Sequence, residues 1–155
     1  MIAESAVRLA FYVTPANLLK VPIPAPSRRA DELWRHTCFE LFLKVEGEEG
    51  YSEFNLSPSS EWAAYGFTGY RAGMHDRALP ADPHIECERQ GEAFMLEADV
   101  DLSAISGGRL LTGFSAVIEE TDGAKSYWAL AHPPGKPDFH HEACFAAELP
   151  APPWP

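Results

Sequence analysis

The feature that most restricts this chain is a two-residue alternation of apolar and polar side chains between turn signals, clearest in residues 37–67. From Thr37 to Val45, one set is Thr37, Phe39, Leu41, Leu43 and Val45, and the other is Cys38, Glu40, Phe42 and Lys44. Side chains alternate across a strand, so this segment predicts a strand with one apolar and one mixed face. The run EGEEG then supplies a turn, and Tyr51 to Ser57 resumes the alternation with Phe54 and Leu56 on the apolar side. Matching apolar faces in an antiparallel hairpin, closed by the loop Glu46 to Glu49, sets Leu41 opposite Phe54 and Phe39 opposite Leu56. The same register sets Glu40 opposite Asn55.

The next turn is signalled by PSSE, because Pro58 cannot donate to a sheet ladder. Setting Ser57 opposite Trp62 sends Tyr65 and Phe67 to the core. It gathers His36, Glu40, Asn55, Trp62 and Tyr70 on the other face, around the small Ala64 and Gly66. A hollow with an aromatic wall and hydrogen-bonding groups suits a sugar or another small polar ligand. The competing interpretation is a half-exposed sheet face whose Trp62 packs under a loop, since aromatic cross-strand pairs commonly stabilise sheets.

The remaining segments repeat the strand pattern. Ala6 to Thr14 alternates as a half-buried strand, and Leu18 to Ile23 reads as a short one kept to an edge by Pro22. Asp31 is positioned to cap a single helical turn, DELW. Residues 71–82 form an irregular loop, and His84 to Gln90 with Ala93 to Leu102 form a hairpin around Gly91. Leu110 to Ile118 is apolar on both sides, as expected of a strand inside a covered sheet. Asp122-Gly123 turns the chain into Ser126 to Ala131, and Cys144 to Leu149 is the last strand. About nine short strands and no amphipathic helix of ordinary length predict an all-β fold, an immunoglobulin-like or jelly-roll sandwich of antiparallel strands. The 155 residues suit one domain over 1–149 with a Pro-rich tail, 150–155.

Charge narrows the partners. A formal net charge of −11 disfavours nucleic acid and anionic membranes, both of which need clustered Lys and Arg. No apolar run reaches the ~20 residues of a membrane-spanning helix. The start MIAESAVRLAFYV lacks a basic leader and reads as a strand, which points to the cytoplasm. Cys38, Cys87 and Cys144 form no CxxC pair and are expected to be free thiols, the last two as small core residues.

No complete catalytic constellation emerges. Glu40 and Glu53 are candidates for the paired carboxylates of a glycosidase, but the hairpin register leaves them diagonal, not facing. The serines of SPSS lack a GxSxG elbow. His132, Asp138 and His140 are weak metal candidates, because imidazole and carboxylate suit zinc or iron but their spacing matches no metal motif. The reading is therefore of a non-enzyme without a resident cofactor.

The segments LWRHTCFELFL, YSEFNLSPSSEWAAYGFTGYRAGM and YWALAHPPGKPDFHH resemble those of the bacterial DOMON-like proteins related to type 9 carbohydrate-binding modules. The resemblance runs from about Leu18 to Leu149. It implies an immunoglobulin-like sandwich that binds a small ligand, a sugar or a haem in the wider superfamily. For a sugar, Trp34, Trp62 and Trp128 are the stacking candidates, and Arg35, Glu40, Asn55, Arg71 and His132 the hydrogen-bonding ones. For a haem, held in relatives by a Met with a His or a similar axial pair, Met74 and His75 lie in the loop 71–82 and His84, His132, His140 and His141 elsewhere, and the absence of CxxCH excludes covalent attachment. A third alternative is an adaptor that binds another protein through its tryptophan face.

Overall fold

Turn residues cut the chain into ten strands among the described residues, which are 6–105 and 107–150 of this computed structural model. They are β1 (Ala6–Val13), β2 (Cys38–Val45), β3 (Tyr51–Leu56), β4 (Trp62–Phe67), β5 (His75–Asp76), β6 (His84–Gln90), β7 (Ala93–Asp101), β8 (Leu110–Glu119), β9 (Lys125–Ala129) and β10 (Ala147–Leu149). β7 has the cleanest alternation and buries Phe94, Leu96, Ala98 and Val100. It pairs antiparallel with β1 and β6 to make a three-stranded sheet. The other strands form a seven-stranded sheet in the order β10-β8-β2-β3-β4-β5, with β9 also paired to β8.

The two sheets form the sandwich that the alternation predicts. Leu9, Leu96 and Val100 of the smaller sheet share one apolar core with Leu41, Phe54 and Leu56 of the larger. Each such side chain, fully buried, contributes about 1.5–3 kcal/mol. β8 is flanked by β2 on one side and by β9 and β10 on the other, as its two apolar faces require.

The β2–β3 register is the expected one, with Glu40 opposite Asn55 and Leu41 opposite Phe54. The β3–β4 register is not: Leu56 lies opposite Trp62 and Asn55 opposite Ala63. The cause is the turn. The Ser60 N–H donates to the Ser57 carbonyl and the Ser57 N–H to the Glu61 carbonyl, so only Pro58 to Ser60 lie in the loop. Ser60 adopts φ 81°, the left-handed residue that follows a type I turn in such hairpins. The Ser57 and Ser59 hydroxyls and the Glu61 carboxylate bond to one another and hold that shape. A one-residue slip inverts every side chain of a strand. Trp62 and Ala64 therefore enter the inter-sheet core, while Ala63, Tyr65 and Phe67 take the opposite face.

Other expectations are corrected locally. Leu18 to Ile23 makes only one bridge, Leu19 to Glu120, because its prolines leave no continuous ladder. The short 3-10 turn is Leu33–Arg35 and follows Glu32 at φ 59°, while Asp31 accepts a hydrogen bond from the Tyr65 hydroxyl at 2.6 Å instead of capping. A second 3-10 turn, Glu142–Cys144, delays the last strand to Ala147–Leu149. Cys87 is exposed on β6, an edge strand that buries only Ile85, whereas Cys144 is buried; all three cysteines are free. The expected tail lies outside the described residues apart from Pro150.

Candidate functional site

The face of the larger sheet that turns away from the core carries the chemistry. Glu40, Asn55 and Ala63 are lateral neighbours across β2, β3 and β4, and Phe42, Glu53 and Tyr65 form the adjacent row. Phe42, Tyr51, Ala63, Tyr65 and Phe67 make a second apolar cluster, covered by Leu33, Phe139 and Phe145 from two loops. Between this sheet face and the loops lies a hollow of about 460 Å³, a size usual for small-molecule sites. Trp34, Tyr127 and Phe139 supply aromatic walls, Glu40 and Glu53 line it from the sheet, and Arg71, Met74 and His140 from the loops.

The two carboxyls are deeply placed, with Glu40 at 3% and Glu53 at 6% exposure. Burial raises both from their ordinary range, and the negative charge of Glu53 raises Glu40 further. Opposing this, the Ser115 hydroxyl donates to Glu40 Oε2 at 3.2 Å. Asn55 and Arg71 likewise favour the charged form of Glu53. Asn55 is fully buried beside them, and neither end of its amide reaches hydrogen-bond geometry with a group among the described residues.

A hydrogen-bonded pair, Tyr51 and His140, stands beside Glu53. The Arg71 backbone N–H donates to the Tyr51 hydroxyl oxygen at 3.1 Å, and that oxygen lies 2.8 Å from His140 Nδ1. That hydroxyl can donate to Nδ1, leaving the ring proton on Nε2, or accept from Nδ1–H. Nε2 faces Glu53 Oε2 at 3.6 Å, a contact longer than a hydrogen bond. Burial, reinforced by Arg71, lowers the His140 pKa to about 4, so the imidazole is neutral at pH 7. Arg71 itself is engaged: its guanidinium meets Asp138 Oδ1 at 2.7 Å, and Tyr70 donates its hydroxyl proton to the other oxygen. Burial opposes ionisation of Asp138, but these two hydrogen bonds outweigh it and hold the carboxyl below its ordinary value.

The structure brings together only part of the expected set. Trp34, Glu40 and Arg71 line the hollow, and Asn55 lies beneath it. Arg35 stays at the rim, paired with Glu32 at 3.0 Å and stacked over Trp34 at 5.6 Å. Tyr70 lines a neighbouring cavity behind Tyr51 and His140. His36 is drawn off to Glu119 at 3.2 Å, and His132 lies against Phe139 without lining the hollow. Trp128 is exposed and donates its Nε1–H to Ser126 Oγ at 2.8 Å, while its neighbour Tyr127, on the opposite strand face, lines the site. Trp62 is a correction: at 4% exposure it is sealed in the core by the β4 register, under Arg29 at 4.5 Å. The expected wall of three tryptophans is thus one tryptophan, Trp34, joined by Tyr127 and Phe139.

Sequence reasoning missed Tyr65, Phe67, Tyr127 and Phe139 as lining groups and gave Glu53 no binding role. The β3–β4 register would have found Tyr65 and Phe67. Of the metal candidates, Asp138 is taken up by Tyr70 and Arg71, His140 by Tyr51, and His132 stands apart. Among the described residues no group of three or more His, Cys, Asp or Glu side chains could hold a metal ion. Met74 lines the hollow, but His75 lies at another cavity with Nδ1 bonded to the Gly73 carbonyl at 2.8 Å, so the two do not share one space.

No protein-family model matches the chain, and no curated protein matches it by sequence. Solved structures do match by fold. A proposed carbohydrate-binding protein from Bacteroides uniformis is similar with a TM-score of 0.62 and 15% identity, over 90% of this chain and 71% of that one. A family 9 carbohydrate-binding module from Caldicellulosiruptor kristjanssonii, solved with glucose, is similar with a TM-score of 0.53 and 14% identity, over 95% of this chain and 71% of that one. The chain therefore shares the sandwich fold of these proteins.

Proposed function

We propose that this chain is a non-catalytic module that binds a saccharide in the hollow of the larger sheet. The observation that carries this reading is the composition of the hollow: aromatic surfaces from Trp34, Tyr127 and Phe139 around buried hydrogen-bonding groups. The C–H face of a pyranose packs on aromatic rings, and carboxyl and guanidinium groups meet its hydroxyls. The fold shared with a glucose-bound module supports the same class of ligand. The site is set on β2, β3 and β4, which pair continuously, so its floor is preorganised and little is lost in ordering it.

Isothermal titration with a panel of mono- and disaccharides tests the reading, with Trp34→Ala as the site-directed control. Trp34 is half-exposed, so its removal is expected to leave stability within about 0.5 kcal/mol. Affinity is expected to fall at least about tenfold, or about 1.4 kcal/mol. No response to any sugar at millimolar concentration removes the saccharide reading and favours the protein adaptor. An unchanged affinity in Trp34→Ala moves the site away from the hollow. A Soret band in the absorption spectrum of the purified protein would instead put haem binding first.

A further inference from the structure

We propose that the ligand of this hollow is cationic, an amino sugar whose ammonium group is received by the carboxyl groups of Glu40 and Glu53 while Trp34, Tyr127 and Phe139 pack on the rest of it. The proposal rests on the saccharide reading and narrows it to a chemical class.

The charge balance of the site points this way. Glu40 on β2 and Glu53 on β3 are both nine-tenths buried and both line the hollow. Their lone pairs are only partly spent: Glu40 accepts one hydrogen bond, from Ser115, while Glu53 has the Asn55 amide nearby but outside hydrogen-bond geometry and a His140 ring nitrogen 3.6 Å away. Buried charge without donors is costly, so a site that keeps two such groups is arranged for a partner that supplies them. The surrounding protein does so only in part: Arg71 favours the charged form of Glu53, but its guanidinium is already paired with Asp138, and His140 is neutral. No lysine lines the hollow.

An ammonium group fits this vacancy of charge better than a hydroxyl. It brings three donors and a full positive charge, where a hydroxyl brings one donor. Aromatic faces also attract cations, so the walls favour the same group as the floor. Without a ligand, burial favours the protonated form of both carboxyls, and the charge of Glu53 favours it further at Glu40. Binding of a cation makes the ionised pair favourable, so protons leave to solvent as the ligand enters. Asn55, buried next to Glu40 and Glu53, has neither amide end within hydrogen-bond geometry of a partner among the described residues, so the polar floor is incomplete as it stands.

The test compares glucose, N-acetylglucosamine and glucosamine, which differ in one substituent, together with choline as a non-sugar ammonium. Isothermal titration at pH 7 is expected to show glucosamine binding at least about tenfold more tightly than the two neutral sugars. Its heat is expected to vary with the ionisation enthalpy of the buffer, because protons are released. Glu53→Gln is expected to shrink the preference to less than about threefold. If that variant does not fold, Glu40→Gln carries the same comparison, and the buffer dependence needs no variant. Neutral and amino sugars binding within about twofold of each other would overturn the cationic proposal and leave the saccharide reading standing. Choline binding without any sugar would keep the ammonium site and overturn the saccharide reading. Silence from all four probes would overturn both.

Discussion

Glu40→Gln is expected to raise the thermal midpoint of the protein at pH 8 and to leave it nearly unchanged at pH 5. Glu40 and Glu53 bind protons more strongly in the folded chain than in the unfolded one, because burial raises both, so stability falls as pH rises above their ordinary value of 4.5. His140 works in the opposite direction. Its folded pKa is lowered from 6.5 to about 4, so the folded state binds fewer protons than the unfolded one and stability falls as pH drops through that interval. Two carboxyls outweigh one imidazole between pH 4.5 and 6.5, so wild-type stability is expected to be highest at the acidic end of that interval and to fall as pH rises from there.

Glutamine removes the charge, keeps the shape, and can still accept from Ser115. The gain at pH 8 is expected to be about 2 kcal/mol, or about 4–8 °C for a domain of this size. Thermal unfolding from pH 4 to 9 checks it. The alkaline limb should flatten in Glu40→Gln while the acidic limb remains. A variant less stable than wild type at pH 8 would mean that the carboxylate is required by the fold.

Trp62→Ala should come close to unfolding the chain. Trp62 packs among Leu56, Ala64 and the residues of the smaller sheet, its backbone bonds to Arg28 and Ala30, and Arg29 covers its ring. Removing a buried aromatic side chain costs about 3–5 kcal/mol, a large part of the stability of an ordinary domain. Trp62→Phe should be far milder, because the Nε1–H has no hydrogen-bond partner to lose among the described residues and the ring contact survives. Denaturant unfolding of both variants beside Trp34→Ala separates the roles of two tryptophans that the alternation alone places together. A cost below about 1 kcal/mol for Trp62→Ala would contradict the observed register.

The sandwich was legible because alternation and turn chemistry agree along most of the chain. β7 and the β2–β3 hairpin show it best: both faces of each strand are unambiguous, so only one register buries the apolar set. The expected chemistry was legible only as far as that hairpin. Glu40 and Asn55 were correctly placed as neighbours, but β4 offers two acceptable registers, since Trp62, Tyr65 and Phe67 suit either a core or a half-covered face. Local side-chain bonds in the SPSSE turn decided between them. His36 and Trp128 were misplaced for different reasons: Glu119, distant in sequence, captures His36, whereas Trp128 shares one face of β9 with its acceptor Ser126 and Tyr127 on the other face reaches the hollow instead. Phe139 and His140 reach the site through a loop folded back over the sheet, a long-range closure that no local pattern announces.

The three-residue loop Pro58 to Ser60 has a consequence for how such a surface can diverge. Adding one residue there would rotate β4 by half a period, sending Tyr65 and Phe67 inward and delivering the indole of Trp62 to the outside. A single codon gained or lost at this corner thus exchanges one palette of recognition groups for another without touching β2 or β3. In a lineage of such sandwiches, changes of ligand preference are then expected to track the length of this corner as closely as they track the residues that meet the ligand.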